Sequence, residues 1–435
     1  MNAAETSNPI TQRLDKMHQL WQRFRAVPET RVCRWLIQPD DKKMVEAFLE
    51  TTYLESNDAV DFFLPFYTPF TKVEKYAEAL ITELNEAVAA DAEGLSEEGI
   101  KLNWPPAPAK ESLESPAAQF LYYLQQFALL VPAAEMLVAV LLPTAINKQY
   151  GKWLYKFTKL DIPANIRFLV IDAQEEEVLA TAAKKASAQI ITLPLELDMP
   201  NALRQLAAGG NPADPGVKFR KAFLDLSQAA ATKNLNEVQR LETAPLLICR
   251  EQGWVPMEIA VHSLVAAAYI GVNRLPEALQ RYEQAYGLAV QTAAAGEGVG
   301  LILAVQCRLN LGSVHIARKT YREAAVAYAS AAEHAQDAGD NFQVMEAKRM
   351  QGFSLEKCSE WEAAFKIEKE ALEAAALLDE PVRQNSSLPY LGQSLLELAY
   401  RVGYKEEYLQ LEERLNTLAG PNWQNKLKTA KATAV

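Results

Sequence analysis

The feature that most constrains this chain is a spacing of small and aromatic residues that occurs three times between Val261 and Ala375. The three runs are Ala266, Tyr269, Leu275, Ala278, Tyr282, Ala285, then Gly312, His315, Tyr321, Ala324, Tyr328, Ala331, then Gly352, Leu355, Trp361, Ala364, Glu368, Ala371. Because the internal spacing is the same in each run, the sequence predicts one two-helix unit built three times. A small residue in the first helix lets the second approach closely, and the two later alanines form the packing ridge of the second helix.

This pattern resembles the tetratricopeptide repeat (TPR), over about a quarter of the chain. A TPR unit usually has about 34 residues. Here Ala278 and Ala324 are 46 positions apart, and Ala324 and Ala364 are 40 apart. The resemblance therefore implies the variety with lengthened helices. It also implies an α-solenoid that binds other proteins through a groove lined by the first helix of each pair.

The resemblance places groove residues one before, one after and four after each early small residue. These positions are Val265, Ala267, Ile270, Leu311, Ser313, Ile316, Gln351, Phe353 and Glu356. Val265 and Leu311 could equally pack against the second helices. Family members that clamp a C-terminal carboxylate carry basic residues and asparagines at the positions of Ala267, Ser313 and Phe353, so no such clamp is expected.

An apolar to neutral groove suits a protein client that binds as an amphipathic helix or an extended apolar segment. The alternative is that the chain's own N-terminal domain or terminal helix fills the groove.

A chain of 435 residues is longer than one core usually organises, so two domains are expected. Residues 1–210 are predicted to form an α/β domain with a mostly parallel sheet, because short apolar runs alternate with helical patterns. The predicted strands are Arg31–Ile37, Val60–Phe66, Met136–Leu142, Ile166–Ile171 and Gln189–Leu193. The predicted helices are Lys42–Leu54, Lys72–Ala90, Ala117–Val131, Lys148–Leu160 and Glu175–Ala186.

A loop is predicted over Asp91–Glu114, and the sequence Gly209-Gly210-Asn211-Pro212 predicts the domain boundary. Residues 211–424 are expected to form the solenoid, and residues 425–435 a short, basic, flexible tail. Besides the three repeats, the solenoid contains the predicted helices Val217–Thr232 and Leu235–Gln252 and a degenerate fourth pair, Leu388–Arg401 and Lys405–Leu418.

The front of the predicted sheet lacks the residues of a phosphate-binding loop. The junction Gln38–Glu46 contains Lys42 and Lys43 but no glycine, serine or threonine. The strand Met136–Leu142 is followed by proline and threonine instead of a metal-binding acid. We therefore expect no nucleotide hydrolysis.

The layout still resembles the nucleotide-binding domain of signalling NTPases (STAND-like) that precede helical repeats. Met136–Leu142 takes the place of the metal-binding strand, Ile166–Asp172 that of the sensor strand, and Ile190–Leu197 that of the strand that leaves the domain. This resemblance of layout and hydrophobic pattern implies a catalytically inactive derivative. An unrelated parallel α/β domain fits the same pattern.

Asp172 is the one candidate ligand-binding residue in the α/β domain, because it ends a predicted strand where sites of this fold class form. The alternative is a helix N-cap. The acidic run Glu175–Glu177 is predicted to complement the N-terminus of the following helix. The four histidines show no metal-ligand spacing, and no nucleophile motif occurs. No catalytic, metal or cofactor site is therefore predicted.

The net charge of −11, with 44 basic and 55 acidic residues, argues against general binding to nucleic acid or anionic membrane. The N-terminus has no export-signal pattern. The apolar stretch Phe120–Leu142 contains Pro132 and Glu135 and is interpreted as a buried helix followed by a strand. Four isolated cysteines are expected to be reduced packing residues of a cytoplasmic protein.

These observations favour a non-enzymatic adaptor, scaffold or chaperone that captures a protein client through a TPR groove. One alternative is a regulatory switch that binds a nucleotide without hydrolysing it. Another is a hydrolase whose site these motifs do not describe.

Overall fold

The computed structural model describes residues 8–54, 61–92, 94, 104–106, 115–131, 135–424 and 427. The chain divides into two compact units, Met1–Leu206 and Ala207–Val435. Several predictions fall wholly or mostly outside the described residues: the loop Asp91–Glu114, the break at Pro132, the tail from Asn425, Val60 of the second strand and the start of the N-terminus.

The first unit is built on a five-stranded parallel sheet with strand order β2-β3-β4-β1-β5. The strands are β1 (Val32–Ile37), β2 (Asp61–Phe66), β3 (Met136–Leu141), β4 (Ile166–Ala173) and β5 (Ile190–Pro194). Each lies within two residues of its predicted position, so the predicted parallel α/β architecture is confirmed. The near-continuous apolar strands are explained by burial of both sheet faces.

Helices cover both faces of this sheet. They are α1 (Pro9–Arg25), α2 (Lys42–Leu54), α3 (Val73–Ala90), α4 (Pro116–Ala128), α5 (Tyr150–Phe157), α6 (Ala180–Lys185) and α7 (Met199–Ala208). Successive residues of a strand enter different cores: Val138 packs with α1 and α2, whereas Leu137 packs with α3, α4 and α5. The sequence analysis did not predict α1 and α7.

One helix prediction in this unit is wrong at its start. The helix predicted over Glu175–Ala186 begins only at Ala180, and the acidic run lies in the preceding turn. Glu177 has a left-handed φ of 44°, which is incompatible with a helix. The run therefore does not occupy the first turn of α6.

The second unit consists of helices. They are α8 (Pro215–Ala231), α9 (Leu235–Leu241), α10 (Thr243–Gln252), α11 (Val255–Gly271), α12 (Leu275–Ala294), α13 (Gly298–Ala317), α14 (Tyr321–Asp337), α15 (Asn341–Lys357), α16 (Trp361–Ala376), α17 (Glu380–Gln384), α18 (Leu388–Val402) and α19 (Lys405–Ala419). From α11 to α16 each helix packs on the next, and the first helices α11, α13 and α15 also contact their neighbours in the series.

The same turn joins the two helices of five pairs, which are α8 with α9, α11 with α12, α13 with α14, α15 with α16, and α18 with α19. Each turn contains one residue with a left-handed backbone: Lys233, Asn273, Lys319, Ser359 and Gly403, with φ between 57° and 88°. The residue after it donates its N–H to the carbonyl five positions earlier, at 2.9–3.1 Å. This bond satisfies a free carbonyl at the end of the first helix. The repeat thus includes a pair before the three predicted ones.

The small residues make the close helix contacts that the spacing predicts. A Cβ on Gly312 would lie 2.5 Å from the ring of Tyr328, and one on Gly352 would lie 2.4 Å from Cγ of Glu368. Ala324 and Ala364, on the second helices, are fully buried. Glycine at the two first-helix positions therefore sets the distance within each pair.

Among the described residues, α13 is the one helix long and apolar enough to cross a membrane, with a mean hydropathy of 1.4 over its apolar window. About two fifths of that window (39%) is buried, and α13 packs on α12 and α14. Core helices of soluble proteins pass the same test. The stretch Phe120–Leu142, for which the sequence predicts a helix and a strand, covers the larger part of α4 and the whole of β3.

Candidate functional site

The carboxyl ends of β1 and β4 form the edge of the sheet where α/β folds place ligands, because the chain leaves these neighbouring strands in opposite directions. Asp172 lies at this edge, beside Leu36 in the strand register. Its Oδ2 lies 2.6 Å from Arg34 Nη2 and accepts the N–H of Leu179 at 3.0 Å. The side chains of Arg34 and Asp172 are 4% and 1% exposed.

This pairing determines what Asp172 can do. Its carboxylate already has a cation and a backbone donor, and Arg34 is also 2.9 Å from Glu177 Oε2. The bond to Leu179 comes directly before α6, so Asp172 contacts that helix end from the strand and is not itself the N-cap residue. The structure therefore places Asp172 in a buried ion pair that joins β1, β4 and the turn before α6.

The junction between β1 and α2 contains a buried carboxyl group that is bonded to the backbone of the junction itself. Pro39–Asp41 forms a short 3₁₀ helix, and Asp41 is 1% exposed. Its Oδ2 accepts the N–H of Gln38 at 2.9 Å. Burial raises the pKa of Asp41. The Asp41 carboxyl therefore takes part in the capping of the short 3₁₀ helix before α2.

The six groove residues predicted in the solenoid lie at equal offsets on α11, α13 and α15. Ala267, Ile270 and Ser313 are exposed, while Ile316, Phe353 and Glu356 are half-buried. We call these six residues, together with Glu397 and Tyr400 of α18, the first-helix face. Val265 and Leu311, for which packing was the alternative, are buried.

Polar contacts tie this face to the second helices. Ser313 Oγ lies 3.3 Å from the hydroxyl of Tyr328. Ser394 of α18 donates from Oγ to Glu356 Oε1 at 2.7 Å and lies 2.9 Å from Glu368 Oε1. Glu368 is fully buried, and this burial raises its pKa to about 8. In the first two predicted repeats a tyrosine stands where Glu368 stands in the third.

Sequence reasoning missed the contribution of α18. Counting back seven residues from the left-handed turn residue gives Gly312 and Gly352 in two pairs, and Leu396 before Gly403. One and four positions after Leu396 come Glu397 and Tyr400, both exposed, with Tyr400 at 76%. Leu396 stands where the other first helices usually carry a small residue, so the alignment of α18 with those helices could not be recognised from that position. The glycine in the turn was the available signal.

A cavity of about 1410 Å³ lies where the first-helix face reaches the last helix pair. Glu356, Glu397 and Tyr400 line it, together with the aromatic side chains of Trp361, Tyr408 and Trp423. Arg401 also lines it, and its guanidinium carbon lies 4.2 Å from the centroid of the Trp361 ring. Of the six predicted groove residues, only Glu356 lines this cavity.

The described residues contain no group of three histidine, cysteine or acidic side chains that could hold a metal ion. His315 Nδ1 lies 2.8 Å from Thr320 Oγ1, beside the turn that joins α13 to α14. All four cysteines are free; Cys33, Cys249 and Cys307 are buried, and Cys358 is partly exposed. Burial raises the pKa of Cys33, Cys249 and Cys307, so these thiols favour the unreactive protonated form.

No protein-family model and no curated protein matches this sequence. Solved structures resemble the fold. BtubC (BKLC) from P. vanneervenii is 16% identical, with a TM-score of 0.39 over 51% of this chain and 88% of that one. The STAND protein with a tetratricopeptide repeat sensor from Pyrococcus horikoshii is 13% identical, with a TM-score of 0.39 over 90% of this chain and 55% of that one. The apo quorum sensor NprR from B. thuringiensis is 13% identical, with a TM-score of 0.31 over 99% of both chains.

The fold defines the class of protein. The chain is a helical-repeat protein, with an α/β unit on a parallel five-stranded sheet followed by an α-solenoid of TPR-like helix pairs with lengthened helices. Sequence identities and TM-scores this low indicate a similarity of fold alone. They do not carry the ligands of those proteins over to this chain.

Proposed function

We propose that this protein is an adaptor, scaffold or chaperone that binds a segment of a client protein along the first-helix face. The observation that carries the proposal is the presence of an accessible apolar side chain at a groove position on each of three consecutive first helices. Ile270 and Ile316 stand four positions after the early small residue, and Phe353 stands one position after it. Ile270 is 39% exposed, and Ile316 and Phe353 are half-buried. Apolar residues in such a row provide a continuous surface that a helix or an extended apolar segment can cover.

The test compares two variants in a pull-down from the source organism. In Phe353→Ala/Ile316→Ser the largest apolar anchors are removed, and loss of an aromatic anchor costs about 2 kcal/mol or more of binding energy. The matched control is Val326→Ser, because Val326 is 66% exposed but lies on the second helix α14. Circular dichroism checks that both variants fold.

We expect the control to recover the same clients as the unaltered protein and the double variant to lose them. Full recovery by a folded double variant would move the binding surface away from the first-helix face. Mass spectrometry of the recovered proteins would identify the client.

We further propose that the α/β unit does not hydrolyse nucleotides and that the protein acts without catalysis. The proposal is supported by the glycine-free junction before α2, in which the buried Asp41 carboxyl is bonded to the backbone of the junction itself. No release of phosphate from ATP or GTP above background is expected. Turnover that disappears in Lys42→Ala or Lys43→Ala would contradict this.

A nucleotide-responsive switch is the competing function. Saturating nucleotide would then raise the melting temperature, because a ligand at 100 times its dissociation constant adds about 2.7 kcal/mol. A shift beyond about 2 °C would favour the switch over the adaptor. We propose the cytoplasm as the location, on the basis of the isolated cysteines.

A further inference from the structure

Two carboxyl groups contact Ser394, where the last two helix pairs meet, and a third belongs to the next turn of the same helix. Ser394 Oγ contacts Oε1 of both Glu356 and Glu368. Glu397 follows one turn later on α18 and lines the same cavity as Glu356. Oε2 of the fully buried Glu368 has no hydrogen-bond partner among the described residues. The cavity therefore has two carboxyl groups in its wall, and Ser394 joins one of them to the buried Glu368 carboxyl, whose Oε2 has no partner in the described part of the chain.

The two accessible carboxylates of this wall have neutral donors. Glu356 accepts from the hydroxyl of Ser394, and Glu397 Oε1 accepts from the amide of Gln393 at 2.8 Å. Elsewhere in the solenoid, carboxylates meet cations on neighbouring helices, as in the pairs Lys348–Glu370 and Lys369–Glu407. Hydrogen bonds to charged donors are roughly twice as strong as neutral ones, so a cation would bind Glu356 and Glu397 more strongly than their present partners do.

Three cationic side chains also line the cavity, and two of them lie against aromatic rings. Arg401 lies over the ring of Trp361, and Lys357 Nζ is 5.0 Å from the ring centroid of Phe353. Lys405 begins α19, beyond the turn that follows α18. Within the described part of the chain, none of the three forms a salt bridge with Glu356 or Glu397.

We propose that Glu356 and Glu397 receive a lysine or arginine side chain of the bound client segment, whose neighbouring apolar residues pack on Ile316 and Phe353. This inference rests on the function proposed above and specifies the chemistry of the client. Tyr400, one turn beyond Glu397, adds an accessible aromatic ring for the same cation. An organic cation fits better than a metal ion, because the described residues provide no set of three metal ligands.

The test selects peptides from a phage-displayed random library of 12-residue peptides on the purified full chain. Three forms are compared: the unaltered protein, Glu356→Gln/Glu397→Gln, and the control Glu333→Gln/Glu413→Gln. The control residues are exposed glutamates on the second helices α14 and α19. Glutamine keeps the shape of the side chain and removes its charge, and circular dichroism checks the fold.

We expect the unaltered and control proteins to enrich peptides with lysine or arginine beside apolar residues, and the Glu356→Gln/Glu397→Gln form to lose the basic preference. A selected peptide resynthesised with norleucine in place of its lysine should bind the unaltered protein about tenfold more weakly, which corresponds to about 1.4 kcal/mol. On the Glu356→Gln/Glu397→Gln variant, the norleucine peptide and the original lysine peptide should bind with the same affinity. The charge reversal Glu397→Lys should shift selection toward acidic peptides.

Enrichment without a basic residue, or a basic preference that survives in the Glu356→Gln/Glu397→Gln form, would overturn this inference and leave the proposed function standing. Enrichment that appears only after removal of residues 428–435 would also overturn it, because the occupant would then be the chain's own basic segment. No enrichment on any form, together with full client recovery by Phe353→Ala/Ile316→Ser, would overturn the proposed function itself.

Discussion

The sheet edge of the first unit and the first-helix face of the second carry charged groups in places where their fold classes bind ligands, but they use those charges differently. At the sheet edge, Arg34 and Asp172 neutralise each other 2.6 Å apart with almost no exposure. On the first-helix face, Glu356 and Glu397 have neutral donors and border an open cavity. A charge that the fold has already neutralised stabilises structure, whereas an accessible charge without a counterion can select a partner.

The largest expected effect tests the structural side of this comparison. Arg34→Met leaves the buried Asp172 carboxylate without its cation, and loss of one member of a buried ion pair typically costs about 3–5 kcal/mol. Unfolding in urea, followed by circular dichroism, measures the loss. Replacing both partners, in Arg34→Met/Asp172→Leu, should restore much of it, because a well-packed apolar pair is often as stable as a buried ion pair.

A loss below about 1 kcal/mol in Arg34→Met would mean that Asp172 does not depend on Arg34. Asp172 would then become a candidate ligand-binding residue again. The sheet edge and the first-helix face would then both carry a charged group that is available to a partner.

The next effect concerns the packing that builds the first-helix face. Ala324 is fully buried on α14, and Ala324→Trp should destabilise the solenoid by about 1–3 kcal/mol or more through overpacking. The destabilisation should extend to the adjacent helix pairs, because each pair packs against its neighbours. Ala317→Trp is the control, since Ala317 is exposed at the end of α13. Helicity and melting temperature that match this control would show that the register of the repeat is wrong.

The smallest effect per measured step, one pH unit, sharpens the comparison at Glu368, a buried carboxyl in the solenoid that forms no salt bridge with a described residue. Burial raises its pKa from an ordinary 4.5 to about 8. Between these values the folded protein holds a proton that the unfolded chain has released. Stability therefore falls as pH rises through this window, by up to about 1.4 kcal/mol per pH unit from this one group.

Glu368→Gln should remove that slope, so the variant should gain stability relative to the unaltered protein as pH rises from 5 to 8. Urea unfolding at several pH values measures the difference. Glu333→Gln, at an exposed position of α14, should leave the slope unchanged. Equal slopes in Glu368→Gln and the unaltered protein would mean that the Glu368 carboxyl is not protonated in the folded state.

The sequence predicted the helix pairs correctly where the early position of the first helix carries a glycine or an alanine. Gly312 and Gly352 contact the predicted positions on the second helices. The pair that starts with α8 was not recognised as a repeat, and Glu397 and Tyr400 were overlooked, because Leu226 and Leu396 stand where a small residue is usual. What recurs in all five pairs is the left-handed backbone of the turn, which Lys233 and Ser359 adopt without the glycine that would indicate it.

The sequence by itself determined the strands, most of the helices and the offsets along each first helix, because hydrophobic periodicity is a local property of the chain. Only the tertiary structure decided what the charged residues contact. Arg34 reaches Asp172 across 138 positions, and Ser394 joins Glu356 and Glu368 from a helix of the next pair. Whether a carboxyl is neutralised or left accessible depends on which distant side chain packs against it, and no local pattern contains that information.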